Sequence, residues 1–274
     1  MKIWLDGALR DADGARVSVF DHGLTVGDGV FETLKVRRGE PFALTRHLER
    51  LTRSARGLGL PDPDLGEVRR ACAAVVEANP MPLGRLRVTY TGGVSPLGSD
   101  RGDAAPTLIA AVAASDPHAA TTAVVTVPWV RNERSGVTGL KTTSYAENVV
   151  ALAAAHRAGA SEALLANTVG RLCEGTGSNV FVVLDGELHT PLVASGCLAG
   201  ITRALVVEWA GAKETDLPFD VLERAEEVFL TSSLRDVQAV VRVDGRETAA
   251  APGPVTAEAM RTFAARAAAD PDPV

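Results

Sequence analysis

Lysine is scarce in this 274-residue chain, which contains 24 arginines but only Lys2, Lys35, Lys141 and Lys213. Arginine stays protonated and cannot act as a neutral nucleophile, whereas lysine can lose its proton and form a Schiff base. Lys141 stands out because it opens the stretch "GLKTTSYAENVV", with small hydroxyl residues directly after it. Taken alone, this pattern is also typical of a solvated lysine at the start of a helix.

Cysteine pairs, long apolar runs and basic blocks are also missing. The three cysteines are widely spaced and the five histidines show no metal-ligand spacing, so neither a disulfide framework nor a metal site is indicated. The net charge of −6 argues against binding nucleic acid through its phosphates. No apolar run approaches the length of a membrane span, and the first residues do not resemble a signal peptide. We therefore expect a cytoplasmic protein without metal, membrane or nucleic-acid partners. Local arginines could still bind a small anionic molecule.

Strand and helix patterns follow one another without regular alternation, which predicts an α+β protein of two domains. The expected small N-terminal domain covers residues 1–114, and "SDPH" at 115–118 is the expected linker. The larger C-terminal domain, residues 119–274, is expected to carry Lys141.

Local patterns predict several elements. "VSVFDHG" at 17–23 reads as a strand followed by a turn, and "GDGVFETLKVRRGEPFAL" as a hairpin around Arg38 and Gly39. The apolar spacing in "RHLERLTRSARGLGL" predicts an amphipathic helix. We expect the final "AAADPDPV" to be frayed.

Three further stretches could carry chemistry. In "LAGITRALVVEW" a glycine precedes a helix with Thr202 in its first turn, an arrangement suited to a phosphate or simply to a capped helix. In "RLCEGTGSNVF" Glu174 precedes small residues, which allow close approach of a flat ligand or form an ordinary hairpin turn. In "FLTSSLRDVQ" three hydroxyl residues end a strand, where they could bind phosphate or only form a turn.

The order of these motifs resembles that of the fold-type IV pyridoxal-phosphate enzymes, the class IV aminotransferase family. The resemblance runs from "GDGVFET" through "HLERL", "LKTTSYAENV", "EGTGSNVF" and "LAGITR" to "EEVFLTSS". It implies the two-domain fold of D-amino-acid aminotransferases, pyridoxal 5'-phosphate as the cofactor, and a homodimer. Each active site would be completed by a partner loop, expected here in "GGVSPLGSDRG".

The resemblance also implies residue roles. Lys141 would bind the cofactor aldehyde and move protons, and Glu174 would keep the pyridine nitrogen protonated so that the ring draws electrons from the substrate. Asn179 would fix the turn that carries Glu174, and Tyr145 would bond the phenolic oxygen. The remaining cofactor residues, mostly for the phosphate, would be Arg50, Ile201, Thr202, Ser232 and Ser233. The implied substrate-binding residues are Phe31, Arg87 and Leu234.

Within the family the chain most resembles the 4-amino-4-deoxychorismate lyases. Thr33 in "VFET" occupies a position where the lyases carry a threonine thought to assist the lysine and branched-chain enzymes carry glycine. This predicts elimination of pyruvate from 4-amino-4-deoxychorismate to give 4-aminobenzoate for folate synthesis. The alternative is an aminotransferase for branched-chain or D-amino acids. A non-catalytic domain is disfavoured because Lys141 and Glu174 are both present.

One departure concerns the substrate carboxylate. Leu97 stands where D-amino-acid aminotransferases and better-known lyases carry an arginine. Arg87, Arg101 and Arg235 are the candidates that could replace it.

Overall fold

This computed structural model describes residues 1–274, which form two compact units. Each unit is made of more than one segment of the chain. Unit 1 consists of Met1–Pro117, Leu140–Ser144 and Asp270–Val274. Unit 2 consists of His118–Gly139 and Tyr145–Ala269.

Unit 1 is built on a six-stranded antiparallel sheet with the order β2-β1-β6-β5-β3-β4. Its strands are β1 Lys2–Leu5, β2 Ala8–Asp11, β3 Gly29–Arg37, β4 Glu40–Pro41, β5 Leu83–Thr91 and β6 Thr107–Ala114. Its helices are α1 His22–Thr25, α2 Leu44–Leu58 and α3 Leu65–Ala78, with a 3-10 turn at Ala12–Gly14.

The two faces of the unit 1 sheet differ in character. Side chains alternate between faces along a strand, so Val30, Leu34 and Val36 of β3 point to one side. They join the buried core that β5 and β6 form with α2 and α3. The opposite face of β3 therefore presents Phe31 and Thr33, which the sequence singles out for function.

Unit 2 is built on a nine-stranded mixed sheet with the order β12-β11-β10-β13-β14-β7-β8-β9, and β15 pairs with β14. Its strands are β7 Thr121–Arg131, β8 Glu162–Asn167, β9 Leu172–Gly175, β10 Asn179–Leu184, β11 Glu187–Pro191, β12 Lys213–Thr215, β13 Glu227–Ser232, β14 Asp236–Val243 and β15 Arg246–Glu247. Its helices are α4 Ala146–Arg157, α5 Ile201–Ala210, α6 Val221–Arg224 and α7 Pro254–Ala269, with a 3-10 turn at Val193–Ser195. None of the helices in the chain combines the length and apolar character needed to cross a membrane.

Two local predictions are wrong. No strand forms at residues 17–20; instead Asp21 caps the short helix α1 by accepting the Gly23 N–H at 2.8 Å. The other Asp21 carboxylate oxygen accepts the hydroxyls of Thr91 and Thr107, so long-range bonds override the local strand pattern. The C-terminus is not frayed, because Asp272 accepts the backbone N–H of Thr45 at 2.8 Å.

The segment containing Lys141 belongs to unit 1, whereas the sequence predicted it within the C-terminal domain. The reason is backbone pairing with the start of β3. Phe31 N–H donates to the Lys141 carbonyl at 2.9 Å, and Thr143 N–H donates to the Gly29 carbonyl at 2.8 Å. These two backbone hydrogen bonds are of the kind that joins strands in a sheet, and they fix the backbone position of Lys141.

Candidate active site

In unit 1, the backbone of Lys141 is anchored by hydrogen bonds at both its N–H and its carbonyl. Its N–H donates to the Ser54 hydroxyl of α2 at 3.2 Å, while its carbonyl accepts from Phe31. The preceding Leu140 packs on α2 where Gly57 leaves room, since a Cβ there would lie 2.5 Å from Leu140 Cδ2. The half-buried side chain of Lys141 is therefore carried by a backbone with little freedom to move.

Phe31 brings two cations together. Lys141 Nζ lies 4.4 Å from the centroid of its ring, and the Arg87 guanidinium carbon lies 3.7 Å from the same centroid. Both distances are within the range of cation–π attraction. Thr33 shares the face of β3 with Phe31 and pairs directly with Arg87 across the strands. The predicted residues Lys141, Phe31, Arg87 and Thr33 thus lie on one face of the sheet.

Arg50 lies on the other side of β3, within a buried cluster. Its Nε and one terminal nitrogen donate to the two carboxylate oxygens of Glu32 at 2.8 and 2.6 Å, and Arg50 is only 3% exposed. His47 Nδ1 lies 2.6 Å from Glu32 Oε2. The bidentate pair fixes the plane of the guanidinium, so any contact of Arg50 with a phosphate would use its remaining hydrogens.

Burial and neighbouring charges determine which groups in this cluster are ionised. Burial would raise the pKa of Glu32, but the charge and hydrogen bonds of Arg50, followed by those of His47, outweigh it and hold that pKa well below its ordinary value. Burial lowers the pKa of His47, and the charges of Arg50 and Lys141 lower it further against the opposing effect of Glu32. The carboxylate is thus ionised and the imidazole neutral at neutral pH.

In unit 2, Glu174 is held through both carboxylate oxygens. The backbone N–H of Leu198 donates to Oε2 at 2.9 Å, and Arg131 Nε forms an ion pair with Oε1 at 3.1 Å without the geometry of a hydrogen bond. The side chains of Arg131 and Glu174 are 16% and 12% exposed, so water screens the pair only weakly. The prediction singled out Glu174 but missed Arg131, because nothing local in the sequence relates an arginine at the end of β7 to a glutamate on β9.

Glu162, which is buried, holds the turn after Glu174 with its carboxylate. Glu162 of β8 accepts the Thr176 N–H at 3.0 Å, the Thr176 hydroxyl, and the Ser178 hydroxyl at 2.9 Å. Asn148 of α4 donates its amide to the Thr176 carbonyl. The turn is therefore fixed by Glu162 and Asn148, whereas the family resemblance implied that role for Asn179.

Asn179 instead fixes the approach to α5. Its amide donates to the Leu198 carbonyl at 2.9 Å, and its Oδ1 lies where a Cβ on Gly200 would collide with it. Gly200 is the residue before α5 and supplies no side-chain cap. The helix start at Ile201 and Thr202 therefore keeps an anion-binding character.

A buried hydroxyl beside this helix start is consistent with a phosphate. Thr231 pairs with Asn179 across β13 and β10, and its Oγ1 has no hydrogen-bond partner although the residue is 1% exposed. A buried donor without an acceptor is costly. A phosphate at the uncapped helix start would supply that acceptor, so these residues fit the phosphate of the expected cofactor.

The other predicted residues of unit 2 lie at element ends. Ser232 closes β13, where its hydroxyl accepts the Arg235 N–H at 3.2 Å, and Ser233 and Leu234 are half-buried in the following turn. Tyr145 is the N-cap residue of α4. The contacts of Tyr145, Ser232 and Ser233 with the cofactor, and of Leu234 with the substrate, stay predictions.

Two of the three candidate carboxylate-binding arginines have structural roles. Arg101 bonds both oxygens of Asp28, at 2.5 and 2.6 Å, and the carbonyls of Leu58 and Gly59. The guanidinium of Arg235 is engaged by Gln238 and by Ser161. Arg87 is the candidate that lies on the same face as Lys141.

Comparison with known proteins identifies the family of the chain. The profile of the family "Amino-transferase class IV" matches residues 29–243. A putative branched-chain-amino-acid aminotransferase of Methanocaldococcus jannaschii is 35% identical, with 90% of this chain and 89% of the relative covered. A bifunctional aminodeoxychorismate lyase / D-amino acid transaminase of Mycobacterium tuberculosis is 32% identical, with 90% and 92% covered. The first is more similar than the second, so the comparison does not favour the lyases as the sequence motifs did.

Comparison with a solved structure tests the expected fold. The PLP-bound form of a hypothetical aminotransferase from Mycobacterium tuberculosis superposes with a TM-score of 0.86 at 27% identity, covering 97% of this chain and 98% of that one. The predicted α+β fold of the fold-type IV enzymes is therefore confirmed. The chain belongs to the class IV aminotransferase family and is an enzyme dependent on pyridoxal 5'-phosphate.

Proposed function

We propose that the chain is a lyase that eliminates pyruvate from 4-amino-4-deoxychorismate and releases 4-aminobenzoate. The observation that carries this proposal is the position of Thr33 on the face of β3 shared with Phe31, directly across from Arg87. Lys141 Nζ lies over the Phe31 ring, so Lys141 and the hydroxyl of Thr33 lie on the same face of the sheet. A threonine at this position is what the resemblance to the lyases implies, and a glycine would be expected of a branched-chain enzyme.

Each residue then has a defined task. Lys141 would hold the cofactor and later take the proton from the carbon bearing the amine, while the adjacent C–O bond to the enolpyruvyl group breaks. Lys141 would return a proton to the methylene carbon of the leaving enol, which yields pyruvate. Thr33 would hold the lysine ammonium between these transfers, and Arg87 would bind a substrate carboxylate.

The cofactor, when bound, draws electrons away from the carbon that loses its proton. Glu174 would support this by keeping a negative charge at the pyridine nitrogen, since its carboxylate is fixed by Arg131 and Leu198. For the phosphate we propose the N–H groups of Ile201 and Thr202, with Thr231 as an additional hydroxyl donor.

A second candidate is an aminotransferase for branched-chain or D-amino acids. The observation in its favour is the 35% identity to a putative branched-chain aminotransferase. The same lysine and carboxylate would serve it, because proton removal beside the amine is common to both reactions.

One assay distinguishes the two. Purified holoenzyme receives 4-amino-4-deoxychorismate without any keto acid, and pyruvate is followed by its reduction with lactate dehydrogenase and NADH. The proposal predicts many pyruvates per active site, and Lys141→Ala provides the blank. If no pyruvate forms and common amino acids convert the bound cofactor to its amine form, the aminotransferase replaces the lyase.

We further propose a homodimer in which unit 1 contributes an apolar contact surface. Phe20, Leu24, Val94 and Leu97 are 49%, 68%, 57% and 72% exposed. Backbone bonds from Ser95 to Phe20 and from His22 to Gly93 join their two segments. Exposed apolar groups gathered in this way are typical of interaction sites. Sedimentation should give a dimer, and a fully active monomer would contradict this assignment.

A further inference from the structure

The surroundings of Glu174 point to a residue that acts on the cofactor without contacting it. Glu174 has two carboxylate oxygens, and each is held by a group that the fold positions: Arg131 for Oε1 and the Leu198 N–H for Oε2. A carboxylate offers about four lone-pair sites, so it can accept a ring N–H in addition to these two contacts. The two contacts also leave the carboxylate little freedom to rotate.

Arg131 is itself held in place by α4. Its Nη1 donates to Asn148 Oδ1 at 3.3 Å and lies 3.6 Å from Glu147 Oε2. Asn148 in turn donates to the Thr176 carbonyl in the turn after Glu174. The guanidinium thus connects the carboxylate to the loop that follows it, which the compact ammonium of a lysine could not do with the same geometry.

The charge around this pair is simple at neutral pH. Burial and then the charge of Glu174 raise the pKa of Cys173, and burial and then Glu174 raise the pKa of Cys197 to about 11, so both neighbouring thiols are neutral. Glu147 is 78% exposed and well screened by water. Arg131 is therefore a charged neighbour of Glu174 whose charge the two adjacent thiols do not offset.

We propose that Arg131 is a positioning residue that fixes the orientation and the negative charge of Glu174 for the pyridine nitrogen. The role applies to elimination and to amino transfer alike, so it does not depend on which reaction the enzyme catalyses. Loss of Arg131 would let Glu174 turn away and would lower the proton affinity of the ring nitrogen. The absorbance of the bound cofactor and its change with pH report that protonation directly.

The test compares Arg131→Gln and Arg131→Lys with the wild-type holoenzyme. Arg134→Gln is the matched control, because Arg134 lies three residues further on, is 83% exposed and pairs with the adjacent Glu133 at 3.8 Å. For Arg131→Gln we expect a shifted pH profile of cofactor absorbance and an affinity for pyridoxal phosphate about tenfold weaker, because a largely buried carboxylate loses its ion-pair partner. Arg131→Lys should recover part of both, and Arg134→Gln should match wild type.

A double variant separates positioning from simple stabilisation. If Arg131 acts through Glu174, adding Arg131→Gln to Glu174→Gln should shift the absorbance profile no further. An unchanged absorbance profile and cofactor affinity in Arg131→Gln, with only a lower melting temperature, would overturn the proposal. So would a full additional shift in the double variant. If Arg131→Gln does not fold, Arg131→Lys and its double variant give the same two readouts.

Discussion

Lys141 Nζ lies 4.4 Å from the ring centroid of Phe31, and the backbones of the same two residues are joined by a 2.9 Å hydrogen bond from Phe31 N–H to the Lys141 carbonyl. A residue of β3 therefore fixes the lysine backbone and also faces its amine. Because Phe31 also contacts Arg87, the lysine and the candidate carboxylate-binding residue are positioned by one aromatic ring.

Arg87→Met should raise KM for an anionic substrate about tenfold, since one charge-assisted hydrogen bond is lost, and should change kcat less. The KM of Arg87→Lys should lie between those of wild type and Arg87→Met, because lysine keeps the charge but loses the planar contact with Phe31. Steady-state kinetics with the substrate identified by the pyruvate assay provide the measurement. Arg70→Met is the control, because Arg70 is exposed on α3. Equal KM values for wild type and Arg87→Met would assign the carboxylate to another residue.

Thr33→Val should slow pyruvate release by about tenfold or more while leaving cofactor content unchanged, because it removes the hydroxyl but keeps the β-branched shape that suits β3. Thr33→Ser should retain most of the rate. Thr33→Gly is expected to widen the pocket towards ordinary amino donors. If Thr33→Val released pyruvate at the wild-type rate, Thr33 would be only a strand residue.

At a saturating concentration of pyridoxal phosphate, Glu174→Gln should retain the cofactor but lose turnover by roughly a hundredfold, on the scale of removing one preorganised electrostatic partner. The shape of the side chain is preserved, so its two partners remain in reach. Glu147→Gln serves as the control, because Glu147 also neighbours Arg131 but is 78% exposed. Turnover of Glu174→Gln within a factor of about three of wild type would show that another group supports the ring nitrogen.

His47 should make the fold sensitive to acid. Its pKa in the folded state lies below the ordinary value of 6.5, so the unfolded chain binds more protons and stability falls as pH drops through about 6.5. Glu32 acts with the same sign, but only as pH falls below its ordinary value of 4.5. Between pH 7.5 and 5.5, His47→Asn should reduce the slope of unfolding free energy against pH, by at most about 1.4 kcal/mol per pH unit. Urea unfolding at several pH values measures this, and parallel slopes would contradict it.

Local sequence patterns predicted what depends on local physics. The apolar spacing of α2 and the turn at Arg38 and Gly39, both with positive φ, follow from periodicity and turn chemistry. The cofactor and the roles proposed for Lys141 and Glu174 came from the resemblance to a family. Contacts between distant segments escaped prediction. The cap residue Asp21 of α1 is held by the hydroxyls of Thr91 and Thr107, which lie 70 and 86 positions away in the sequence. No local pattern reveals that network.

The same limit applies to the candidate site. Arg131 and Glu174 are 43 positions apart, and Glu162 reaches the turn at Thr176 from a different strand. A single sequence shows each of these residues only as an ordinary charge at the end or start of a strand. Their pairing depends on the order of strands in the unit 2 sheet, which local patterns leave undetermined.

The most direct test is to find which lysine carries the cofactor. Borohydride reduction of the yellow holoenzyme, followed by proteolysis and mass spectrometry, fixes the cofactor to its lysine. Only four lysines are present, so the assignment is unambiguous. We predict a single modified peptide containing Lys141. Modification of Lys35, which is buried on the same face of β3 as Thr33, or of Lys2 or Lys213, would contradict the assignment of Lys141.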